Sequence, residues 1–112
     1  MNIDLDRVEF LTGSARLTPR SRAEIEKLGG ILRSYPMATV VVAGHTDSRG
    51  REGANLALSR ARAEAVAKAL KDSGVGGDRI RAEGYGSQKP VGDNSTRAGR
   101  QQNRRVTLEV SR

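Results

Sequence analysis

A run of five residues near the middle of the chain, Thr39 to Ala43, reads TVVVA and constrains the fold more than any other feature of the sequence. β-Branched side chains suit a pleated strand, and a strand without polar alternation offers no face to water. The run therefore predicts a central strand that is buried on both faces.

The segments around this strand show the periodicity and the end signals of helices and further strands. A first helix is predicted to begin at Thr18-Pro19, a capping hydroxyl followed by proline, and to end at Tyr35-Pro36. Its apolar positions recur at helical spacing and are Ile25, Leu28, Ile31, Leu32 and Tyr35. A second helix is predicted over about residues 55–72, before Ser73-Gly74. Strands are predicted at 3–10, 79–82 and 106–110, a turn at 12–14, and a long loop with room for one short helical turn at 84–103.

The order β-α-β-α-β-loop-β predicts an α/β fold, an α+β sandwich in which two main helices pack on one face of a small mixed sheet. The 112 residues contain no linker and no repeat, so residues 1–112 are expected to form a single domain. A chain of this length buries roughly two-thirds of its unfolded surface, which is enough for a core without metal or disulfide. The absence of cysteine excludes thiol catalysis and zinc-thiolate sites, and no cofactor is expected.

The net charge of +7 indicates an anionic partner, such as nucleic acid, a membrane surface or a polymer bearing carboxylates. Proteins that bind single-stranded nucleic acid interleave cations with stacking aromatics, yet this chain has only Phe10, Tyr35 and Tyr85. We therefore expect no nucleic-acid partner. No apolar run approaches the roughly 20 residues that span a bilayer, so we expect membrane attachment only through an anchor outside this sequence.

One charged residue does not fit the apolar pattern of the second predicted helix. Arg62 lies in the middle of the arc formed by Leu58, Ala65 and Val66, where a guanidinium is costly unless it is paired or reaches water. It is expected either to extend its head to the end of the helix or to point into the loop 44–53. In that loop Asp47 follows the buried strand, and ligands of open α/β sheets bind outside the carboxyl ends of strands. An acid and a guanidinium held there form either a structural salt bridge or a receptor for a zwitterion, and both interpretations stay open.

The stretch GHTDSRGREGANLALSRARAEAV, from Gly44 to Val66, resembles the signature of OmpA-like C-terminal domains. That signature is a GHTD-x-x-G loop followed by N-x-x-LS-x-x-RA-x-x-V at the start of a helix. The resemblance continues through Gly84-Tyr85-Gly86 and Pro90 to Asn103-Arg104-Arg105-Val106, and Phe10 with Gly13-Ser14-Ala15 resembles the opening strand and turn. It therefore extends over nearly the whole chain.

The resemblance implies a module that binds peptidoglycan without catalysis, through the meso-diaminopimelate of the stem peptide. In this analogy Asp47 takes the ammonium of the ligand and Arg62 takes its carboxylate. Further ligand-binding residues implied by the resemblance are Thr46, Asn55, Leu58, Arg104, Phe10 and Gly13. A polar residue can occupy position 13 in relatives, whereas Gly13 offers only backbone contacts.

Other functions are less consistent with the residues. An enzyme acting on the wall needs an acid–base pair or a metal site, and the single histidine, His45, has no nucleophile or metal set around it, so we expect it to be structural. The alternative function is a protein-interaction module, a secretion or stator component in which wall binding is secondary. Arg97, Arg100 and Arg105 are either a solvated basic loop or contacts to anionic groups of the wall.

The resemblance also implies a location. A wall ligand places the domain in the periplasm, attached to the cell envelope through an N-terminal region outside this sequence, at the outer membrane or at the inner one. The attached protein could be a β-barrel, a lipoprotein or a MotB-like protein. The resemblance leaves a homodimer open.

Overall fold

Four strands form one mixed sheet in the computed structural model, which describes residues 2–5, 8–11 and 13–111. The strands are β1 (Asn2–Leu5), β2 (Thr39–His45), β3 (Ile80–Gly84) and β4 (Arg105–Ser111), in the order β1-β4-β2-β3. The helices are α1 (Pro19–Arg33), α2 (Glu52–Asp72) and α3 (Arg97–Asn103), and a short 3-10 helix covers Gly77–Arg79. The predicted α/β class with two main helices on one face of a mixed sheet is confirmed. None of the helices in the described ranges is long and apolar enough to cross a membrane.

The TVVVA run does occupy the centre of the sheet. Strand β2 pairs in parallel with β3 and antiparallel with β4. Val40 and Val42 face the helices and are buried, but Val41 on the opposite face is only half-buried. The prediction of complete burial on both faces is therefore wrong for this residue, because both main helices pack on one face.

Helix α1 begins as predicted and ends two residues early. The hydroxyl of Thr18 accepts a hydrogen bond from the backbone N–H of Ser21, and Pro19 is the first helical residue. Ile25 and Leu32 enter the core, whereas Ile31 and Tyr35, which were expected to be apolar core positions, are 59% and 48% exposed. Ile31 lies on the side of α1 that faces solvent, and Tyr35 lies beyond the end of the helix, so neither enters the core.

Helix α2 begins at Glu52, three residues before the expected start, and approaches the sheet closely. A Cβ atom at Gly44 would lie 2.1 Å from the carbonyl oxygen of Ser59, and one at Gly84 would lie 2.4 Å from the backbone nitrogen of Arg60. Glycine at both positions lets the helix backbone rest on strands β2 and β3. This contact sets the height of α2 above the end of β2.

The segment before α1 and the segment between β3 and β4 differ most from the sequence prediction. The strand expected at 3–10 is β1 at Asn2–Leu5, followed later by an isolated bridge between Phe10 and Leu17; residues 6 and 7 of that prediction lie outside the described ranges. In the expected turn at 12–14, Gly13 has φ +66°, and residue 12 is also outside them. The loop expected at 84–103 contains the seven-residue helix α3, which is longer than one turn.

The fully buried side chain of Asn103 holds part of this loop in place through hydrogen bonds. Its side-chain oxygen accepts hydrogen bonds from the N–H groups of Val91 and Gly92, and its nitrogen donates to the carbonyl of Gly92 and to Asn94. One amide thus ties residues 91–94 to the end of α3. The same contact fixes the position of the next residue, Arg104.

Candidate functional site

Asp47 lies just beyond the carboxyl end of β2 and is 6% exposed. The preceding residue, Thr46, keeps the chain on the sheet because its N–H donates to the carbonyl of Gly86 over 2.8 Å. Oδ1 of Asp47 accepts a hydrogen bond of 3.0 Å from the N–H of Arg49. Sequence reasoning placed this carboxylate at the end of the central strand, and the structure confirms that position.

The ionic partner of Asp47 is Arg104. Nη1 of Arg104 lies 2.5 Å from Oδ2 of Asp47, and Nη2 donates to Oε1 of Gln101 over 2.7 Å. Nε of Arg49 lies 3.6 Å from the same Oδ2 atom. Both carboxylate oxygens of Asp47 are thus occupied by donors from residues 49 and 104.

Arg62 does not pair with Asp47, so a structural salt bridge between these two residues is excluded. Its Nε donates to the carbonyl of Ser14 over 3.1 Å, and its guanidinium carbon lies 4.9 Å from the centre of the Phe10 ring. Among residues 8–11 and 13–111 no carboxylate lies within ion-pair distance of Arg62. The early start of α2 explains the difference, because it puts Arg62 in the middle of the helix, beside the loop 8–18, instead of at the helix start.

Arg62 and Arg104 line the same small cavity, of about 40 Å³. Phe10 and Val8 form one side of it, and the ends of β2 and β4 form its floor. The remaining lining residues are Gly44, His45, Arg105 and Val106. Asp47 lies next to this cavity, in contact with Arg104.

The electrostatics of the cavity favour an incoming anion. Burial lowers the pKa of Arg62, and the positive charge of Arg104 lowers it further. Burial would raise the pKa of Asp47, but the hydrogen bonds from the Arg49 N–H and from Arg104 outweigh that effect and hold the pKa below its usual value. An arginine stays protonated in a protein, so the guanidinium ions of Arg62 and Arg104 repel each other in this cavity, which Arg105 also lines.

The other predicted site residues occupy supporting positions. The hydroxyl of Thr46 donates to the carbonyl of Asp47, and Nδ2 of Asn55 donates to the carbonyl of Arg49 over 2.9 Å. These contacts shape the loop after β2. Leu58 is half-buried outside the core cluster, and Gly13 is exposed in its turn next to Ser14, the residue that holds Arg62.

Sequence reasoning did not predict the ion pair between Arg104 and Asp47, and it missed two further contacts of the site. The backbone N–H of Arg49 donates to the side chain of Asp47 in an Asx turn. Only the position of Arg49 two residues after an aspartate could have suggested this turn. The carbonyl of Ser14 holds Arg62, and a backbone acceptor 48 residues away leaves no signal in a sequence.

His45 is packed against the sheet and does not contribute charge. Its ring stacks on that of Tyr85 with centroids 5.4 Å apart, and its buried Nδ1 has no hydrogen-bond partner in the described structure. Burial lowers the pKa of His45 to about 4, helped by the positive charges of Arg105 and Lys89. The ring is therefore neutral at pH 7, which agrees with a structural role.

Two guanidinium ions and one carboxylate at the strand ends can bind charged groups of both signs. Within residues 8–11 and 13–111, no three acidic or histidine side chains are arranged to hold a metal ion. Fold and cavity together define a small α/β ligand-binding module with an ionic pocket at one end of its sheet.

The chain belongs to the OmpA family, whose model matches residues 9–104. It is 42% identical over 110 residues to outer membrane porin F of Pseudomonas fluorescens, which covers 98% of this chain and 33% of the porin. It is 38% identical over 104 residues to the peptidoglycan-binding protein ArfA of Mycobacterium tuberculosis, covering 93% of this chain and 32% of that protein. The chain thus spans about a third of the length of these two relatives.

A solved structure agrees with the family assignment. The peptidoglycan-associated lipoprotein from Burkholderia pseudomallei superposes with a TM-score of 0.83 at 36% sequence identity. The match covers 93% of this chain and 88% of that one. One of these relatives is thus named for the outer membrane and two are named for peptidoglycan, and the similarity confirms the resemblance seen in the GHTD loop and in α2.

Proposed function

We propose that this domain binds peptidoglycan non-covalently through the diaminopimelate of its stem peptide and anchors a larger envelope protein to the wall. The names of two relatives support peptidoglycan as the ligand, because one is a peptidoglycan-binding protein and the other a peptidoglycan-associated lipoprotein. The observation that carries the proposal is the placement of Arg62. This half-buried cation has no carboxylate partner among residues 8–11 and 13–111, and it shares a cavity with Arg104, the ionic partner of the buried acid Asp47.

The charges at the free end of diaminopimelate are complementary to the charged side chains of this pocket. The free end of diaminopimelate carries an ammonium and a carboxylate on one carbon atom. Its carboxylate would enter between Arg62 and Arg104, where it relieves the repulsion of the two guanidinium ions. Hydrogen bonds between ionised partners in such a partly buried place are stronger than those on the open surface.

The ammonium of the ligand would then bind Asp47. Because Arg104 occupies Oδ2 of Asp47 in the free domain, the ligand has to draw Arg104 away from this oxygen. The incoming carboxylate offers Arg104 a new partner, so one exchange of partners satisfies all three protein charges. Thr46 and Asn55 hold the loop that keeps Asp47 in place during this exchange.

The proposed location follows from the proposed ligand. A domain that captures the stem peptide works in the periplasm, and it holds its parent protein by reversible ionic contacts with no bond made or broken. The two parts of the proposal, the polymer and the diaminopimelate end, can be tested separately.

Calorimetric titration tests the ligand. Wild type, Asp47→Asn and Arg62→Gln are titrated with a stem peptide that contains diaminopimelate and with one that contains lysine instead, which lacks the second carboxylate. We expect saturable binding of the first peptide by wild type and a loss of about 30-fold or more in both variants, since truncating one member of a buried charge pair costs about 2–5 kcal/mol.

The exposed Arg97 provides the matched control. Arg97→Gln removes the same charge from the surface of α3 and should bind like wild type. Circular dichroism confirms that each variant is folded. Equal binding of both peptides by wild type would refute the diaminopimelate assignment while leaving wall binding in place, and absence of binding to whole peptidoglycan would refute the function itself.

A further inference from the structure

Three exposed apolar side chains are close in sequence around the end of α1, at the end of the molecule opposite the pocket. Ile31 is 59% exposed, Tyr35 48% and Met37 82%. Ile31 lies in the last turn of α1, and Tyr35 and Met37, just beyond the end of that helix, border one shallow depression together with Pro36. We call Ile31, Tyr35, Pro36 and Met37 the tip surface.

The register of the sheet places the tip surface far from the pocket. The tip surface immediately precedes Thr39, the first residue of β2, and the pocket begins where β2 ends at His45. A strand rises about 3.3 Å per residue, so the two are about 20 Å apart along β2. A ligand in the pocket therefore leaves the tip surface uncovered.

Three cations, Lys27, Arg33 and Arg79, lie on the segments that adjoin the tip surface. Lys27 precedes Ile31 by one turn of α1, and the aliphatic stem of Arg33 lies against Gly74 in the neighbouring loop. Arg79 reaches the end of α1 from the start of β3, where its guanidinium donates to the carbonyls of Leu32 and Tyr35 over 3.1 Å. Asp78 is the acid of this loop, so the charge around the tip surface is predominantly positive.

The size of the tip surface favours a bilayer over a protein partner. Four side chains expose at most an area on the order of a few hundred Å², the size of the largest, often functional, patch on a typical monomer. A stable protein interface buries about 800 Å² on each partner. Shallow insertion into a membrane needs only a few apolar side chains, with tyrosine at the headgroup level and lysine or arginine next to anionic lipids.

We propose that the tip surface is a contact site for anionic phospholipid membranes: Ile31, Tyr35 and Met37 insert at the headgroup boundary, and the cations around them bind lipid phosphates. This function goes beyond wall binding and uses none of the residues of the pocket. A domain of this kind could touch the wall with one end and a bilayer with the other.

The chain contains no tryptophan, so a single substitution supplies a fluorescent reporter of insertion. Met37→Trp is mixed with vesicles of phosphatidylethanolamine and phosphatidylglycerol and, separately, with phosphatidylcholine vesicles. We expect its emission to shift to the blue on the anionic vesicles only. The control is Val91→Trp, since Val91 is also exposed, at 66%, but lies outside the tip surface, and its emission should stay unchanged.

Sedimentation with the same vesicles measures the binding itself. The double variant Ile31→Ser, Met37→Ser should bind anionic vesicles about tenfold more weakly, whereas Leu11→Ser, Val91→Ser should bind like wild type. Asp47→Ala should also bind vesicles like wild type, so that a failure of wall binding and a failure of membrane binding are distinguishable.

Three results would overturn the proposal. The first is absence of binding to anionic vesicles, which would leave a protein as the partner of the tip surface. The second is binding during which the emission of Met37→Trp does not change, because attraction without insertion requires no apolar tip. The third is a wild-type dimer in analytical ultracentrifugation that the double serine variant loses, which would assign the tip surface to a second copy of the chain.

Discussion

Arg104 donates a hydrogen bond of 2.5 Å from Nη1 to Oδ2 of Asp47, a residue 57 positions earlier in the chain. The contact joins the loop after β2 to the junction of α3 and β4. It also means that the acid proposed to receive the ligand already has a cationic partner in the free domain. The charge state of Asp47 is therefore linked to the position of Arg104.

Replacing Arg104 should change the titration of Asp47. Arg104→Gln removes a hydrogen bond and a positive charge that both lower the pKa of Asp47, so this pKa should rise above its wild-type value. The backbone hydrogen bond from Arg49 remains and limits the rise. Carbon-detected NMR of the side-chain carboxyl measures the change. Arg97→Gln should leave the titration of Asp47 as it is, and an unchanged pKa in Arg104→Gln would contradict the observed ion pair.

Arg62 should contribute to stability as well as to binding. Arg62→Ala deletes the hydrogen bond to the carbonyl of Ser14 and the cation–π contact with Phe10, so the free energy of unfolding should fall by about 1–2 kcal/mol. Urea denaturation measures the loss. Arg60→Ala is the control on the same helix, because its exposed pair with Glu64 should contribute less than about 1 kcal/mol. Equal losses of unfolding free energy in the two variants would argue against a stabilising hydrogen bond between Arg62 and the carbonyl of Ser14.

Two glycines near the pocket should respond in opposite ways to the same substitution. A Cβ atom at Gly44 would overlap the carbonyl oxygen of Ser59, so Gly44→Ala should lower the free energy of unfolding by at least about 2 kcal/mol. Gly53 lies in the first turn of α2 with open space around it, and Gly53→Ala should stabilise the domain by about 0.5 kcal/mol. Thermal and urea unfolding compare the two. A stable Gly44→Ala variant would show that α2 can move away from β2.

The single histidine should make the stability depend on pH. Its folded-state pKa is lowered from 6.5 to about 4, so the unfolded chain binds a proton in this interval and the native domain does not. The stability contribution is fully present above pH 6.5 and is lost as the pH falls to about 4, a decrease of about 3 kcal/mol. His45→Phe keeps a ring against Tyr85 and removes the titrating imidazole, so its stability should fall less steeply over this interval than that of the wild type, and the fall that remains comes from carboxyl groups with a lowered pKa such as Asp47. Urea unfolding at several pH values tests this, and equal slopes for both proteins would exclude His45 as the source.

Sequence patterns predicted those parts of the fold that depend on local chemistry. The β-branched run identified the central strand, and Thr18-Pro19 marked the start of α1 to the residue. Helix α3 was not predicted as a helix because its stability depends on Asn103, whose buried amide bonds to residues 91–94. Those contacts form only after the loop has folded back.

The sequence identified residues of the candidate site but did not predict which of them contact each other. Asp47 was placed correctly because the end of a strand is a local feature, and Arg62 was selected because a charge interrupted an apolar arc. The partner of Asp47 could not be identified in this way, since Arg104, Arg49 and Arg62 are all cations at plausible positions. Only the early start of α2 and the approach of the loop 8–18 decide that Arg62 contacts Ser14 and Phe10.

The direction of β1 has a mechanical consequence for an anchoring module. Asn2 pairs with Glu109 and Leu5 with Val106, so β1 runs from the end with the tip surface towards the end with the pocket. A pull between Asn2 and a ligand held at Asp47 acts along the strands, at right angles to the hydrogen bonds that join β1 to β4 and β4 to β2. Such a load shears all the bonds of a ladder at once, so the domain should resist a pull along its strands far better than a sideways force that separates β1 from β4 one pair at a time.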